Sequence, residues 1–294
     1  MDNKIAAIVV TYNRKALLEE CIHSLLNQAY RKLDILVIDN ASTDGTDKLV
    51  NSFTDSRVKY INTQANLGGA GGFQYGVNQG VERGYDYLWM MDDDSIPEPT
   101  ALEKLLEFAN KQPEFGFLAS KVLWKDHSLC QMNIPKKSLN HKLDKFDDGP
   151  QSIIMSTFVS FFVSTKVVRE VGLPIKEFFI WADDLEYSRR ISRKYSSYFI
   201  PDSIVIHKCK SNNGSNIATD SEDRLNRYKY AYRNEVYIYR REGLPGWTHL
   251  ILKTGLHTVR VLAKAQDNKR QRLGIVWKST LNGLNFDPPI KFAK

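Results

Sequence analysis

Tyr87-Leu88-Trp89-Met90-Met91-Asp92-Asp93-Asp94 is the stretch whose reading decides the fold. An apolar, strand-like run ends in three carboxylates. Ser95-Ile96-Pro97-Glu98-Pro99 follows, a segment expected to continue neither a strand nor a helix. The apolar part reads as a buried strand and the acids as its exposed C-terminal tip, where open α/β sheets bind ligands. Adjacent carboxylates repel one another, so a fold that keeps them together calls for a cation. An all-oxygen ligand set favours a hard divalent ion, Mg²⁺ or Mn²⁺. A solvated acidic turn is the alternative, disfavoured by the buried lead-in and the proline-bounded exit.

Working upstream, Ile5–Thr11, Leu33–Asp39 and Val58–Ile61 read as three further strands, with Tyr85–Met91 the fourth. Leu17, Leu18, Cys21, Ile22, Leu25 and Leu26 recur at helical spacing, and Ser42, Thr43 and Asp44 offer caps for a helix around Thr46–Phe53. Strands separated by helices predict a parallel sheet of right-handed βαβ units. The tips Thr11-Tyr12-Asn13-Arg14 and Asp39-Asn40 then lie side by side. There Asp39 suits a ribose hydroxyl or a base imide, and Arg14 suits a phosphate, although each alone reads equally well as a loop residue. Asn66-Leu67-Gly68-Gly69-Ala70-Gly71-Gly72 leads into a helix through Tyr75, Val77 and Val81. As a phosphate loop it is weak: the third glycine of a dinucleotide fingerprint would fall on Gln74, and no Gly-Lys-Ser/Thr follows.

Downstream, Pro99–Lys111 reads as a helix, Phe115–Ala119 as a strand, and residues 121–150 as a polar excursion without a period. Ile153–Val163 reads as one extended run and Lys166–Val171 as a short helix. The second chemical cluster is Phe178-Phe179-Ile180-Trp181-Ala182-Asp183-Asp184-Leu185-Glu186-Tyr187. Two acids open a helix with Glu186 one turn in. Helix capping explains one of them but not three acids behind two Phe and a Trp. An aromatic wall beside a carboxylate suits a sugar ring with a general base at its hydroxyl. Tyr198–Ile206 is a late strand with His207 at its tip, a candidate third metal ligand if not simply a polar surface residue. A Ser/Asn/Gly-rich loop, expected to be mobile, fills residues 208–222. His23 reads as a surface residue, and the sequence shows no partner for His127 or His141.

Three cysteines, Cys21, Cys130 and Cys209, supply neither a disulfide framework nor a zinc spacing. No membrane span or leader is visible, so cytoplasmic residence is expected. The net charge of +7 is unevenly placed: residues 223–294 hold fifteen Lys/Arg against five Asp/Glu, leaving 26 against 29 in the first 222. This divides the chain into a domain at 1–222 and a basic helical region at 223–294. Within that region Tyr228–Tyr239, Trp247–Lys264 and Arg272–Leu284 read as helices. Val261, Leu262, Leu273, Ile275, Val276, Trp277 and Leu281 lie among Lys264, Lys269, Arg270, Arg272 and Lys278. That composition suits a helix lying on an anionic membrane surface, with packing against the sheet as the rival.

As an ordered set, Thr11-Tyr12-Asn13-Arg14, Asp39 through Thr46, Asn66-Leu67-Gly68-Gly69 and an Asp-x-Asp motif at a strand end resemble family 2 glycosyltransferases of the GT-A fold, over roughly residues 4–210. Trp181 through Tyr187, His207 and Tyr232-Arg233-Asn234 look like the galactofuranosyltransferase branch, although rhamnosyltransferases share much of this. Ala182 is a departure, an extra residue between the Trp and the Asp pair compared with some members.

The resemblance implies an α/β GT-A mixed sheet with a C-terminal helical extension. It implies an inverting, Mn²⁺- or Mg²⁺-dependent transfer of galactofuranose from its UDP donor to a lipid-linked or cell-surface polysaccharide. Metal ligation falls to Asp92, Asp94 and His207. Donor binding falls to Thr11, Asn13, Arg14, Asp39, Asn40, Asn66, Gly68, Asp92 and Asp93. Asp184 is the expected base with Asp183 beside it, and Trp181 and Glu186 are the expected acceptor contacts. Rhamnosyl transfer from dTDP-rhamnose is the near alternative, and a nucleotide- or nucleic-acid-binding module the distant one. The basic residues lie in the tail rather than around the Asp cluster, so no nucleic-acid partner is expected. Peripheral membrane association and homo-oligomerisation remain open expectations.

Overall fold

The computed structural model describes residues 3–212 and 214–293. Strands β1 (Ile5–Thr11), β2 (Leu33–Asp39), β3 (Val58–Asn62) and β4 (Tyr87–Asp92) pair in parallel. The sheet continues with β5 (Ser95–Pro97), β6 (Phe117–Trp124), β7 (Gln151–Ser152), β8 (Phe161–Ser164) and β9 (Tyr198–His207). Its order is β3-β2-β1-β4-β8-β6-β9-β5, with β7 paired to β9. The turn to a mixed sheet occurs at β8, which runs antiparallel to both β4 and β6.

Alternation along β1 creates two core layers. Ile5, Ala7 and Val9 enter one, with α1 (Lys15–Leu26) and later α4 (Ala101–Lys111). Ala6, Ile8 and Val10 enter the other. Helix α2 (Thr46–Ser52) follows β2, and Asp44 Oδ1 accepts the Thr46 N–H one residue outside its expected capping place. Helix α3 (Gly68–Glu82) contains all the glycines taken as a candidate phosphate loop. Gly68, Gly71 and Gly72 are closely packed, whereas a Cβ on Gly69 would meet nothing within 4 Å. A Cβ on Gly72 would stand 2.6 Å from Val10 Cγ1, and Cβ atoms on Gly76 and Gly80 would collide with Ile8 and Leu88. Ala70 N–H at the helix start already donates to Phe179 O at 3.2 Å, which corrects the reading of an anion-ready terminus.

Two further expectations change. Ser95–Pro97 does form a short strand, tolerated because β5 is the sheet's edge and Pro97 ends it. The run 153–163 is interrupted by a 3₁₀ turn at Phe158–Ser160 before β8 begins. That turn brings Ser160 to the Trp89 indole N–H and into a buried hydroxyl chain with Ser120 and Ser203, at 2.6 and 2.7 Å.

The rest is helical: α5 (Thr165–Val171), α6 (Asp183–Ser192), α7 (Leu225–Tyr239), α8 (Gly243–Lys264) and α9 (Lys269–Leu284). Val261, Ile275 and Val276 are buried with Tyr228 and Tyr232 of α7, so they are not the lipid-facing residues expected from sequence. Part of the loop before α7 is pinned rather than loose. Ile217 and Ala218 are buried, and the buried Arg272 guanidinium donates to Ile217 O and Asp220 O at 2.7 and 2.9 Å.

Candidate active site

Register alone brings the acidic tip and His207 together. Strand β4 ends at Asp92, the chain turns through Asp93 and Asp94, and β5 then pairs antiparallel with β9 so that Ser95 faces His207. Lys208 N–H donates to Asp94 O at 2.8 Å and closes the corner. Asp93 and Asp94 are buried, with Asp92 intermediate.

The three acids have different partners. Asp93 accepts from Thr11 Oγ1 at 2.8 Å and Arg14 Nη1 at 2.9 Å; the same nitrogen donates to Asp94 Oδ2 at 2.7 Å. Asp94 Oδ1 lies 3.1 Å from His207 Nε2, off the line that a hydrogen bond needs. It is a buried oxygen without a hydrogen-bond partner among the described residues. Burial and the Asp94 charge push Asp92 up to about 7. Burial pushes Asp93 up to about 6 against the pull of Arg14. Burial alone would raise Asp94 too, but His207 and Arg14 hold it below the usual carboxylate range. Burial opposes a charge on His207, yet Asp94, Cys130 and Cys209 together push it up to about 12.

These features fit a cation. One candidate ligand atom each from Asp92, Asp94 and His207 lies within 4.8 Å of the others. Asp94 Oδ1, buried and without a hydrogen bond among the described residues, faces His207 Nε2 at 3.1 Å, so a carboxylate oxygen and an imidazole nitrogen converge there. The histidine is also oriented. Its Nδ1 lies 2.8 Å from Asn133 Oδ1, and the Asn133 amide is in turn held by Thr157 Oγ1 at 2.9 Å. Nε2 is thereby left for the acidic side. Cys130 and Cys209 also cluster with His207 within 4.8 Å, but Nδ1, the ring nitrogen 3.7 Å from Cys130 Sγ, is already engaged by Asn133. Neither Cys130 nor Asn133 was singled out from the sequence. They lie in the aperiodic 121–150 segment, and only the proximity of a polar loop to a strand tip could have pointed to them.

The strand tips expected to meet the nucleotide do adjoin, with Thr11 opposite Asp39 and Asp39 opposite Asn62. Asp39 is closed to solvent, its oxygens accepting from the Ser42 N–H at 2.9 Å and the Tyr60 hydroxyl at 2.6 Å. Asn13 Oδ1 accepts the Thr43 N–H at 2.7 Å, which ties the two tips together. Asn40 donates to Gly68 O at 3.0 Å, and Asn66 Oδ1 accepts the Gly68 N–H at 2.9 Å.

The second cluster sits on a strained turn. Phe179, Trp181 and Ala182 have φ of 63°, 65° and 67°, the left-handed region that L-residues rarely adopt. A fully buried Asn234 holds the turn, its Nδ2 donating to Phe178 O, Ile180 O and Trp181 O at 3.0, 3.3 and 2.8 Å. Trp181 packs edge-on against Tyr228, with ring centroids 5.0 Å apart, and Phe179 stacks on Tyr230 at 5.0 Å. Ala182 in the left-handed conformation precedes α6 and sets Asp183 and Asp184 at its first turn. Burial pushes Asp184 up to about 6, partly offset by hydrogen bonding to the Leu185 N–H, its own N–H and the charge of Lys136. Burial and the Asp184 charge push Asp183 well above the ordinary value, with a contribution from Asp92. Asp183 therefore feels the first cluster directly. Glu186 has another part than the acceptor contact expected of it. Both its oxygens bind Arg190, at 3.0 and 2.7 Å, and Arg190 in turn donates to Val171 O and Leu173 O.

A mixed sheet carrying an acidic motif at the tip of β4, with a second carboxylate pair at the head of α6, defines a glycosyltransferase of the GT-A fold. Residues 6–128 match glycosyl transferase family 2. It is 23% identical to the galactofuranosyltransferase GlfT1 of Mycolicibacterium smegmatis, over 87% of this chain and 93% of that protein. It is 26% identical to GlfT1 of Mycobacterium tuberculosis, over 83% and 84%. Among solved structures, S. aureus TarS 1–349 superposes with a TM-score of 0.57 at 15% identity, covering 95% of this chain and 71% of that one. The longer TarS chain is covered over 44% of its length. The mannosyltransferase PcManGT from Pyrobaculum calidifontis, in complex with GDP-Man and Mn²⁺, gives a TM-score of 0.56 at 15% identity, covering 98% and 76%. These structural likenesses show the fold.

Proposed function

We propose that this glycosyltransferase transfers galactofuranose from UDP-galactofuranose, with inversion, to a hydroxyl of a lipid-linked or cell-surface glycan on the cytoplasmic side of the membrane. The observation that carries the reading is the presence of two acidic clusters: Asp92, Asp94 and His207, whose ligand atoms converge within 4.8 Å, and Asp183-Asp184 in the first turn of α6. Similarity to two galactofuranosyltransferases along most of the chain supports the choice of sugar.

Asp92, Asp94 and His207 would hold Mn²⁺ or Mg²⁺, which when bound supplies charge neutralisation to the diphosphate leaving group as a Lewis acid. Arg14, half-exposed beside the cluster, offers its remaining donors to phosphate oxygens. Thr11 and Asn13 shape that end of the sheet, and Asp39 holds the adjoining tip through Ser42 and Tyr60. On the acceptor side Trp181 presents an apolar face to a sugar ring. Asp184, ionised at neutral pH, takes the proton of the acceptor hydroxyl as that oxygen attacks the anomeric carbon. Asp183, beside it in the first turn of α6, orients the pair. One displacement from the face opposite the leaving group inverts the centre.

A panel of UDP- and dTDP-sugars, scored by nucleoside diphosphate release with and without EDTA, tests the proposal. Turnover is expected with UDP-galactofuranose and is expected to vanish on chelation. A preference for dTDP-rhamnose would replace the sugar assignment, and turnover surviving complete chelation would remove the metal role.

A further inference from the structure

We infer that α8 and α9 form a surface that docks on an anionic phospholipid bilayer. The inference rests on exposed side chains rather than on the sugar chemistry above.

The outward side of α8 is apolar along its length. Leu244, Ile251, Leu252, Val259 and Leu262 are 80%, 70%, 67%, 62% and 54% exposed, and their spacing of 7, 1, 7 and 3 residues keeps them on one side of a helix. Its buried positions, Gly246, Leu250, Thr254 and Val261, form a separate face. Helix α9 repeats the arrangement: Trp277, Leu281 and Leu284 are exposed at i, i+4 and i+7, opposite buried Arg272, Ile275, Val276 and Ser279. Two consecutive helices that each show an apolar stripe to water form a patch that a monomer in solution rarely tolerates.

Charge selects the occupant. Residues 243–294 carry nine Lys/Arg against two Asp. Lys253 and Arg272 are paired with Glu235 and Asp267. Arg260, Lys264, Arg270 and Lys278 are exposed and make no ion pair among the described residues. Arg270 lies two turns before Trp277 on the same side of α9, and Lys278 follows that Trp. A second copy of the chain would bring the same positive excess to the interface and repel. An anionic lipid surface complements it while accepting the apolar stripes. The helices would lie on the bilayer: among the described residues no helix is long and apolar enough to cross one.

Co-sedimentation of the full chain with phosphatidylglycerol and phosphatidylcholine vesicles at low salt tests this. Binding is expected to favour the anionic vesicles by at least ~10-fold and to weaken as salt rises. The exposed pair Ile251→Ser/Val259→Ser is expected to lower partition by ~10-fold or more, with circular dichroism unchanged. Arg270→Gln and Lys278→Gln are each expected to lower it by about 5-fold. Absence of binding to phosphatidylglycerol would overturn the inference, as would equal binding by the Ser pair. Lipid-free self-association that depends on Ile251, without vesicle binding, would assign the surface to a second copy and likewise overturn it. Vesicle binding by a protein inactive with every sugar would leave the inference standing while the transferase reading failed.

Discussion

Asp184 shows how one residue's environment sets a role. A carboxylate with a pKa of about 6 is a stronger base than an exposed Asp and remains mostly ionised at neutral pH. Asp183 is pushed well above the ordinary carboxylate value by burial and by its neighbour's charge, so the two titrate as a pair. Because the base must be unprotonated, kcat is expected to fall tenfold per unit as pH drops below about 6 and to level off above it. Asp184→Asn removes the proton acceptor at constant shape and is expected to lower kcat by ~10²–10⁴-fold with little change in UDP binding by calorimetry. Asp183→Asn should cost less, since it leaves the base itself in place. An Asp184→Asn enzyme retaining a tenth of wild-type turnover would place the base elsewhere.

At the scale of elements, the 178–182 turn stores strain that α7 must hold. Each left-handed non-glycine residue costs about 1–3 kcal/mol, and the three carbonyls gripped by Asn234 keep the turn from relaxing. Asn234→Ala is expected to destabilise the protein by ~1–3 kcal/mol and to lower kcat by ~10²-fold, while the donor KM moves little. Asn234→Asp keeps the shape but replaces the donor by an acceptor, so it should not rescue. Rescue by Asp in a kcat and thermal-unfolding comparison would mean that packing, not the amide donor, holds the turn.

This turn also marks where sequence reading stops. Strands β1 and β4 were legible as continuous apolar runs ending in polar residues, β2 and β3 as shorter apolar runs broken by Asp34 and Lys59, and Asp92–Asp94 because acids follow such a run directly. His207 was legible as a strand tip. Asn234, Asn133 and Cys130 were not readable as site supports, since their partners are backbone or ring atoms 53 to 77 positions away. The glycines of α3 misled for a related reason: glycine serves close packing and anion loops alike, and only the neighbours Val10, Ile8 and Leu88 decide. Glu186 misled because its partner Arg190, one helical turn on, leaves both oxygens occupied.

For the whole molecule, the acidic tip couples folding, protonation and metal. Asp92 titrates near 7 in the fold against about 4 when unfolded, so the folded state binds that proton more tightly. Its contribution therefore weakens stability as pH rises from about 4 to 7. His207 has the same sign in a higher window: its raised pKa stabilises the fold fully below about 6.5, and that stabilisation is lost progressively as pH rises from there to about 12. Between pH 5 and 8 the protein with an empty site thus gives up stability first through Asp92 and, above about 6.5, through His207 as well. A divalent ion competes with both protons, so its apparent affinity should rise with pH throughout this range. At 100 times its Kd such an ion stabilises a folded protein by about 2.7 kcal/mol, enough for a shift of roughly 5 °C in a chain of this size. Thermal unfolding in EDTA and in a fixed Mn²⁺ concentration, from pH 5 to 8, should show a gap between the two curves that widens with pH. Comparing the gap removes the contribution of every carboxylate outside the site. Calorimetry in buffers of different ionisation enthalpy should show proton release on binding, and a constant gap without proton release would separate the cation from Asp92 and His207.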